Sequence, residues 1–172
     1  MSQDNFSHCI LGEHDEMIPC IGEEQHQQAI SQLVAQAERH VDILTHNFTP
    51  EIYDNPLCFE VFEALALRSR HSRIRILIQQ PKQVAQRGHS LLSLAQRVSS
   101  SFILRHPTLQ HRTIEESFLI VDGLGFMHCP YRDALKSEVN FKDAYTAKSL
   151  QQLFNTVWQA SEQDAYLNQG IL

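Results

Sequence analysis

Four consecutive apolar residues, Phe118, Leu119, Ile120 and Val121, run into the dipeptide Asp122-Gly123, and Leu124 to Met127 follow. Asp-Gly between two apolar runs is a strong short-range hairpin signal, because a two-residue turn needs positive φ at its centre. The first run does not alternate between apolar and polar residues. A strand of that kind is covered on both faces, so the chain is expected to fold in layers, with helices above and below a sheet.

The preceding sequence supplies those layers. Ala29, Ile30, Leu33, Val34 and Ala37 recur at helical spacing from residue 23 onward, with Glu23 and Glu24 in the first turn and Arg39 and His40 in the last. Residues 41–48 read as a strand stopped by Thr49-Pro50, and Pro56 opens a second helix over 56–69. Residues 73–80 form the next strand, 89–99 a third helix and 101–105 a short strand ended by His106-Pro107. After the hairpin, residues 131–140 read as irregular. Leu150, Leu153, Phe154, Val157 and Trp158 then give a helix over 145–162 its apolar stripe, with Phe154 and Trp158 as packing residues. Strands alternating with helices predict an α/β fold with a mixed, mostly parallel sheet and helices on both faces. Ligands in such sheets bind at the carboxyl ends of the strands.

Composition narrows the function. The chain has 172 residues, enough for one domain, and its formal net charge of −6 argues against general nucleic-acid binding. Arg68, Arg70, His71, Arg73 and Arg75 nevertheless form a local cationic cluster, read as helix-end and strand-surface charges, with a nucleic-acid patch as the alternative. No window is apolar enough to span a membrane, and the N-terminus resembles no leader, so a cytoplasmic location is expected. Residues 1–22 read as a flexible or loosely docked arm ahead of a single α/β domain over 23–172. Cys9, Cys20, Cys58 and Cys129 are expected as free thiols. His8, Cys9, His14 and Cys20 match no zinc template, so neither a tightly bound metal nor a cofactor is expected.

The hairpin strand also resembles the phospholipase D-like superfamily, in which a strand carries His-x-Lys, four mostly apolar residues and Asp. Asp122 keeps the Asp place, whereas Glu115 stands at the His place and Ser117 at the Lys place. The resemblance covers about residues 23 to 162 and implies a single phospholipase D-like half-unit. More narrowly, GHSLLSLAQRVSS, ESFLIVDG and NFKDAYTAKSLQQLFNTVW resemble an uncharacterised bacterial domain of that superfamily, sometimes fused to GNAT-type acetyltransferases. No acetyltransferase segment is present here. In active members the His attacks phosphorus and the Lys holds the phosphoryl oxygens, which requires a neutral nucleophile and fixed positive charge. Glu115 and Glu116 supply negative charge instead. Where the family carries Gly-Ser-x-Asn, this chain has Cys129, Pro130, Tyr131 and Arg132.

These departures imply a non-catalytic module that binds a partner or a small polar or anionic ligand. His89, Arg105, Glu116 and Asn47 are the candidate ligand contacts, with His89 as a helix cap and Arg105 as a salt-bridge partner of Glu115 or Glu116 in the simpler reading. A hydrolase of altered chemistry using His89 with Glu116 is the competing enzyme reading. Single-unit members of the superfamily pair across a two-fold axis, so the resemblance implies a homodimer meeting near residues 115–117, with Arg105, His111 and Arg112 as the cations available between the carboxylates.

Overall fold

A computed structural model describes residues 4–132, 134–164 and 167. One eight-stranded sheet runs in the order β1-β7-β6-β5-β2-β3-β4-β8. Its strands are β1 (Ile18–Ile21), β2 (His40–Thr45), β3 (Arg73–Ile78), β4 (Phe102–His106), β5 (Ser117–Val121), β6 (Gly125–Cys129), β7 (Lys136–Asn140) and β8 (Glu162–Gln163). The helices are α1 (Gly22–Ala35), α2 (Pro50–Tyr53), α3 (Pro56–Arg68), α4 (Pro81–Arg87), α5 (Ser90–Arg97) and α6 (Ala144–Gln159).

The mixed sheet with helices on both faces is as expected, but the balance of pairing differs. Only β2, β3 and β4 are parallel neighbours. The β5, β6, β7 and β1 ladders, and the β4–β8 contact, are antiparallel. Helical crossovers separate the first group, whereas short turns join β5 to β6 to β7 and force each strand to reverse.

The Asp-Gly turn has the expected geometry. Asp122 and Gly123 have φ of 52° and 65°, and Leu124 N–H donates to Val121 O at 2.9 Å. The Asp122 carboxylate accepts backbone N–H bonds from Glu38, Arg39 and His40 at 2.7–3.0 Å. Those residues lie beyond α1, which ends at Ala35 rather than continuing to residue 40.

One face of the sheet carries α1, α3 and α5 over Val41, Ile43, Ile74, Ile76, Leu119, Val121 and Met127. The other carries α6, whose Leu150, Phe154 and Val157 cover Leu44, Leu77, Phe118, Ile120 and Phe126. Adjacent residues of β5 thus alternate between two apolar layers, which is why the strand itself shows no polar alternation. Beneath α6, Asp42 on β2 accepts a bidentate pair from Arg75 on β3 at 2.7 and 3.0 Å. Gln151 and Asn155 of α6 join this pair, and Phe154 and Trp158 lie over the guanidinium. The network satisfies a buried charge at a place where apolar packing alone would leave it stranded.

Beyond α1, departures from the sequence reading include the helices α2 and α4, the strand β7 and the N-terminal arm. Residues 136–140 form β7 rather than an irregular stretch; Ser137 and Val139 turn inward, Lys136 and Glu138 outward. With one apolar residue in the run, periodicity had little to register. The expected loose arm is packed: Phe6 and Cys9 are buried, Gln36 bonds the backbone of Cys9 and Leu11, and β1 pairs with β7. Residues 1–3 of that arm lie outside the described residues.

Phe154 is fully buried, whereas Trp158 is only partly covered and stacks on it with ring centroids 5.5 Å apart. Phe154→Ala should therefore lower unfolding free energy by ~3–5 kcal/mol, and Trp158→Ala by clearly less. Urea titrations with unchanged slope would measure both; equal losses would contradict this packing.

Candidate functional site

The carboxyl ends of β2, β3 and β4 meet the start of β5 and the end of β6, because β5 runs against β2. The register sets Phe118 opposite both Leu44 and His128, and Ser117 opposite Cys129. Gln79, just past β3, donates to Ile114 O at 2.8 Å and holds the chain entering β5 over this edge. The positions of the resemblance therefore separate along one strand. Glu115 to Ser117 stand at the carboxyl edge, and Asp122 anchors the opposite end.

Two polar pairs occupy the edge. Glu116 Oε2 lies 2.6 Å from His128 Nε2. Arg132 donates from Nη1 to His46 Nδ1 at 2.8 Å, and its backbone N–H donates to Glu115 O at 2.8 Å. Neither His128 nor Arg132 stood out in the sequence. His128 could not be found from the turn alone: a two-residue loop would set Met127 opposite Phe118, whereas Val121 pairs with Gly125 across residues 122–124, which sets His128 there and Glu116 one diagonal step away on the same face. Arg132 occupies the last place of the segment where the superfamily has Asn.

Beneath the other face, Ser117 lines a small cavity with His26, Thr45, Tyr53, Cys129 and Ser137. Its volume is about 20 Å³, room for about one water molecule. His26 donates from Nδ1 to Gly22 O at 2.6 Å, so its Nε2 accepts the Ser137 hydroxyl proton at 2.8 Å. Burial pushes the His26 pKa down, which keeps that acceptor neutral. The sequence signal was present: carrying the Ala29, Ile30, Leu33 stripe one turn back reaches His26.

The candidate ligand contacts are dispersed. His89 is the N-cap of α5, accepting Leu91 N–H at Nδ1 and donating from Nε2 to Phe48 O at 3.0 Å while stacking on the Phe48 ring. Arg105 lies over Trp158, 4.6 Å from the ring centroid, and reaches neither Glu115 nor Glu116. The sheet order explains this, since β2 and β3 intervene between β4 and β5, a separation of roughly 14 Å. Asn47 lines a surface cleft with Glu23, Thr49, Glu51 and Leu135, and its carbonyl accepts from Arg87. His89 and Glu116 are thus engaged with different partners.

The cationic cluster is also divided. Arg68 bonds Ala37 O, Arg73 bonds the carbonyls of Arg70 and Ser72, and Arg75 lies under α6. Arg70 and His71 remain exposed. All four cysteines are free, and burial pushes the Cys20 thiol up to about 12, well outside the reactive range.

The fold of this α/β unit is similar to that of solved phospholipase D family members. Nuc from Salmonella typhimurium, a phospholipase D family member, is similar with a TM-score of 0.60 at 15% identity, over 87% of this chain and 99% of that one. NucT from Helicobacter pylori gives 0.63 at 8% identity, over 87% and 100%. The archaeal chromatin protein TrmBL2, described by its mode of DNA binding, gives 0.62 at 14% identity over 86% of this chain and 53% of its own. The chain therefore spans about half the length of TrmBL2 and nearly all of Nuc and NucT. No curated protein matches the sequence. The chain belongs to the family described as a domain of unknown function, DUF7931, which matches residues 22–169. No helix among the described residues is long and apolar enough to cross a membrane.

The buried histidines predict a pH response. Burial lowers the pKa of His89 despite the opposing pull of Asp54, and lowers that of His26 as well. Below the ordinary value of 6.5 the unfolded chain takes up protons that the folded chain refuses, so stability is fully present above that pH and falls as pH drops through it. His89→Asn keeps a capping acceptor and removes one titrating group. Its melting temperature should fall less steeply than the parent's between about pH 7 and 5; identical slopes would place the response elsewhere.

Proposed function

We propose that this protein is a non-catalytic phospholipase D-like module that binds a partner or a small polar or anionic ligand at the carboxyl edge of its sheet. One observation carries the reading. The position expected to hold a phosphate-binding Lys is Ser117, which lines a cavity with room for about one water, while Glu115 and Glu116 set two carboxylates on the approach. A phosphodiester at this edge meets repulsion where the superfamily chemistry needs positive charge. In this reading Glu116 and Asn47, with Arg132 beside them, make the contacts. His89 and Arg105 act one layer behind, His89 by fixing Phe48 after β2 and Arg105 by fixing the edge against α6. Purified protein should not turn over lipid, nucleic-acid or chromogenic diesters. Turnover abolished by His89→Ala or by Glu116→Gln would overturn the proposal and favour the altered hydrolase.

The same reading includes a homodimer. The match takes in nearly all of Nuc and NucT and about half of TrmBL2, which supports reading the matched residues as one such unit. A two-fold contact near residues 115–117 sets Glu115 against its own copy unless a cation comes between. Arg112, exposed in the segment entering β5, is suited to that place, whereas Arg105 is committed to Trp158. Sedimentation at micromolar concentration should give twice the chain mass, reduced toward one chain by Arg112→Glu and recovered by pairing it with Glu115→Arg. A monomeric parent would sink the dimer, and a dimer indifferent to both variants would sink this interface. The TrmBL2 likeness suggests nucleic acid as a partner, but the Arg68 to Arg75 charges are split between two faces and three carbonyl contacts. DNA retention on an immobilised sample that falls with salt would be needed to revive it.

A further inference from the structure

The N-terminal segment gathers three metal-ligating side chains that are not adjacent to the carboxyl edge. His8, Cys9 and His14 each offer a donor atom, and these atoms all lie within 4.8 Å of one another. The His8 Nε2 to Cys9 Sγ distance is 3.8 Å. Zinc with bonds of roughly 2.0–2.3 Å in tetrahedral geometry holds its ligand atoms about 3.3–3.8 Å apart, so one edge of such a site already has its length. The remaining contraction is on the order of 1 Å, within reach of imidazole rotation. His14 also bonds Glu16 through Nε2 at 2.9 Å, the carboxylate partner that commonly orients a ligating imidazole, and this leaves Nδ1 for a metal.

The backbone carrying these donors is fixed independently of any ion. Asp4 accepts from Phe6 and Ser7, Gln36 brackets Cys9 and Leu11, and Gly12 N–H donates to Phe141 O. The buried Phe6 ring anchors the start of the segment in the core. Glu16 and Asp4 place negative charge near the Cys9 thiol. Beside the donors opens a surface cleft of about 210 Å³, lined by His8, Ile10, Glu13 and His14. It leaves space for water or the Glu13 carboxylate as a fourth ligand.

We propose that His8, Cys9 and His14 form a binding site for a borderline or soft divalent cation of the zinc class. One thiolate and two imidazoles select zinc, or its surrogate cobalt, over magnesium and calcium, which prefer oxygen. Binding removes the proton from the Cys9 thiol and releases it to solvent as the metal–sulfur bond forms, so affinity falls as pH falls. The site ties the segment before β1 more firmly to α1 and β7. It lies ahead of residues 22–169 and does not depend on the carboxyl edge.

Untagged protein stripped with chelator should take up one cobalt(II) per chain, giving a thiolate-to-cobalt charge-transfer band that zinc(II) abolishes. His8→Ala and His14→Ala, at exposed and half-buried positions that leave the core intact, should each weaken cobalt binding at least tenfold. Cys9→Ser should remove the band, and Glu16→Gln should weaken binding about 10- to 100-fold, as loss of an orienting carboxylate does. Zinc should raise the melting temperature of the parent but not of His14→Ala. Absence of the band at micromolar protein and excess cobalt, or a band that survives both Cys9→Ser and His14→Ala, would overturn the site.

Discussion

The Asp122 carboxylate connects two parts of the chain that are far apart in sequence. Its turn requires positive φ, and its side chain collects the backbone N–H groups of Glu38, Arg39 and His40 after α1. The entry to β2 and the tip of the β5–β6 hairpin thus share one anchor. Once that end is fixed, the ladder sets the other: Leu44 falls opposite Phe118 and Ser117 opposite Cys129. A one-residue slip would move Phe118 and Ile120 from the α6 layer to the α1 layer. The residue that the superfamily resemblance preserves most clearly is therefore explained here by geometry.

The second constraint is a charged pair under α6. Asp42 and Arg75 are register partners on the two central parallel strands, and α6 closes over them with amides and aromatic rings. An apolar layer would hold α6 in place without fixing its rotation. A bidentate pair that also binds Gln151 and Asn155 specifies which helix face meets the sheet. This leaves Arg75 unable to serve as surface charge, although it lies within a cationic run in the sequence.

Together these constraints leave a carboxyl edge whose polar groups are largely paired with one another. Glu116 is with His128, Arg132 with His46, and Gln79 with Ile114 O. His26 and Ser137 have the connectivity of a base and a hydroxyl, but both are buried beside a cavity of about 20 Å³, so they lock β7 to α1.

The sequence alone determined the α/β class, the Asp-Gly hairpin, α3, α6 and the three parallel strands, because each is written in local terms: a turn dipeptide, a first-turn proline, an apolar period. It also carried the resemblance in which Glu115 and Ser117 stand at the His and Lys places. Only the tertiary structure decided the rest. β7 is legible once His26 is known to bury Ser137, and β1 once β7 offers it an edge. The separation of Arg105 from Glu116 follows from strand order, which no local pattern encodes. His8, Cys9 and His14 match no ligand template because their convergence depends on Gln36 and Phe141, residues far along the chain that hold the backbone in place. Local preference is readable where neighbours in sequence determine it; pairing and convergence are set by partners that only folding brings near.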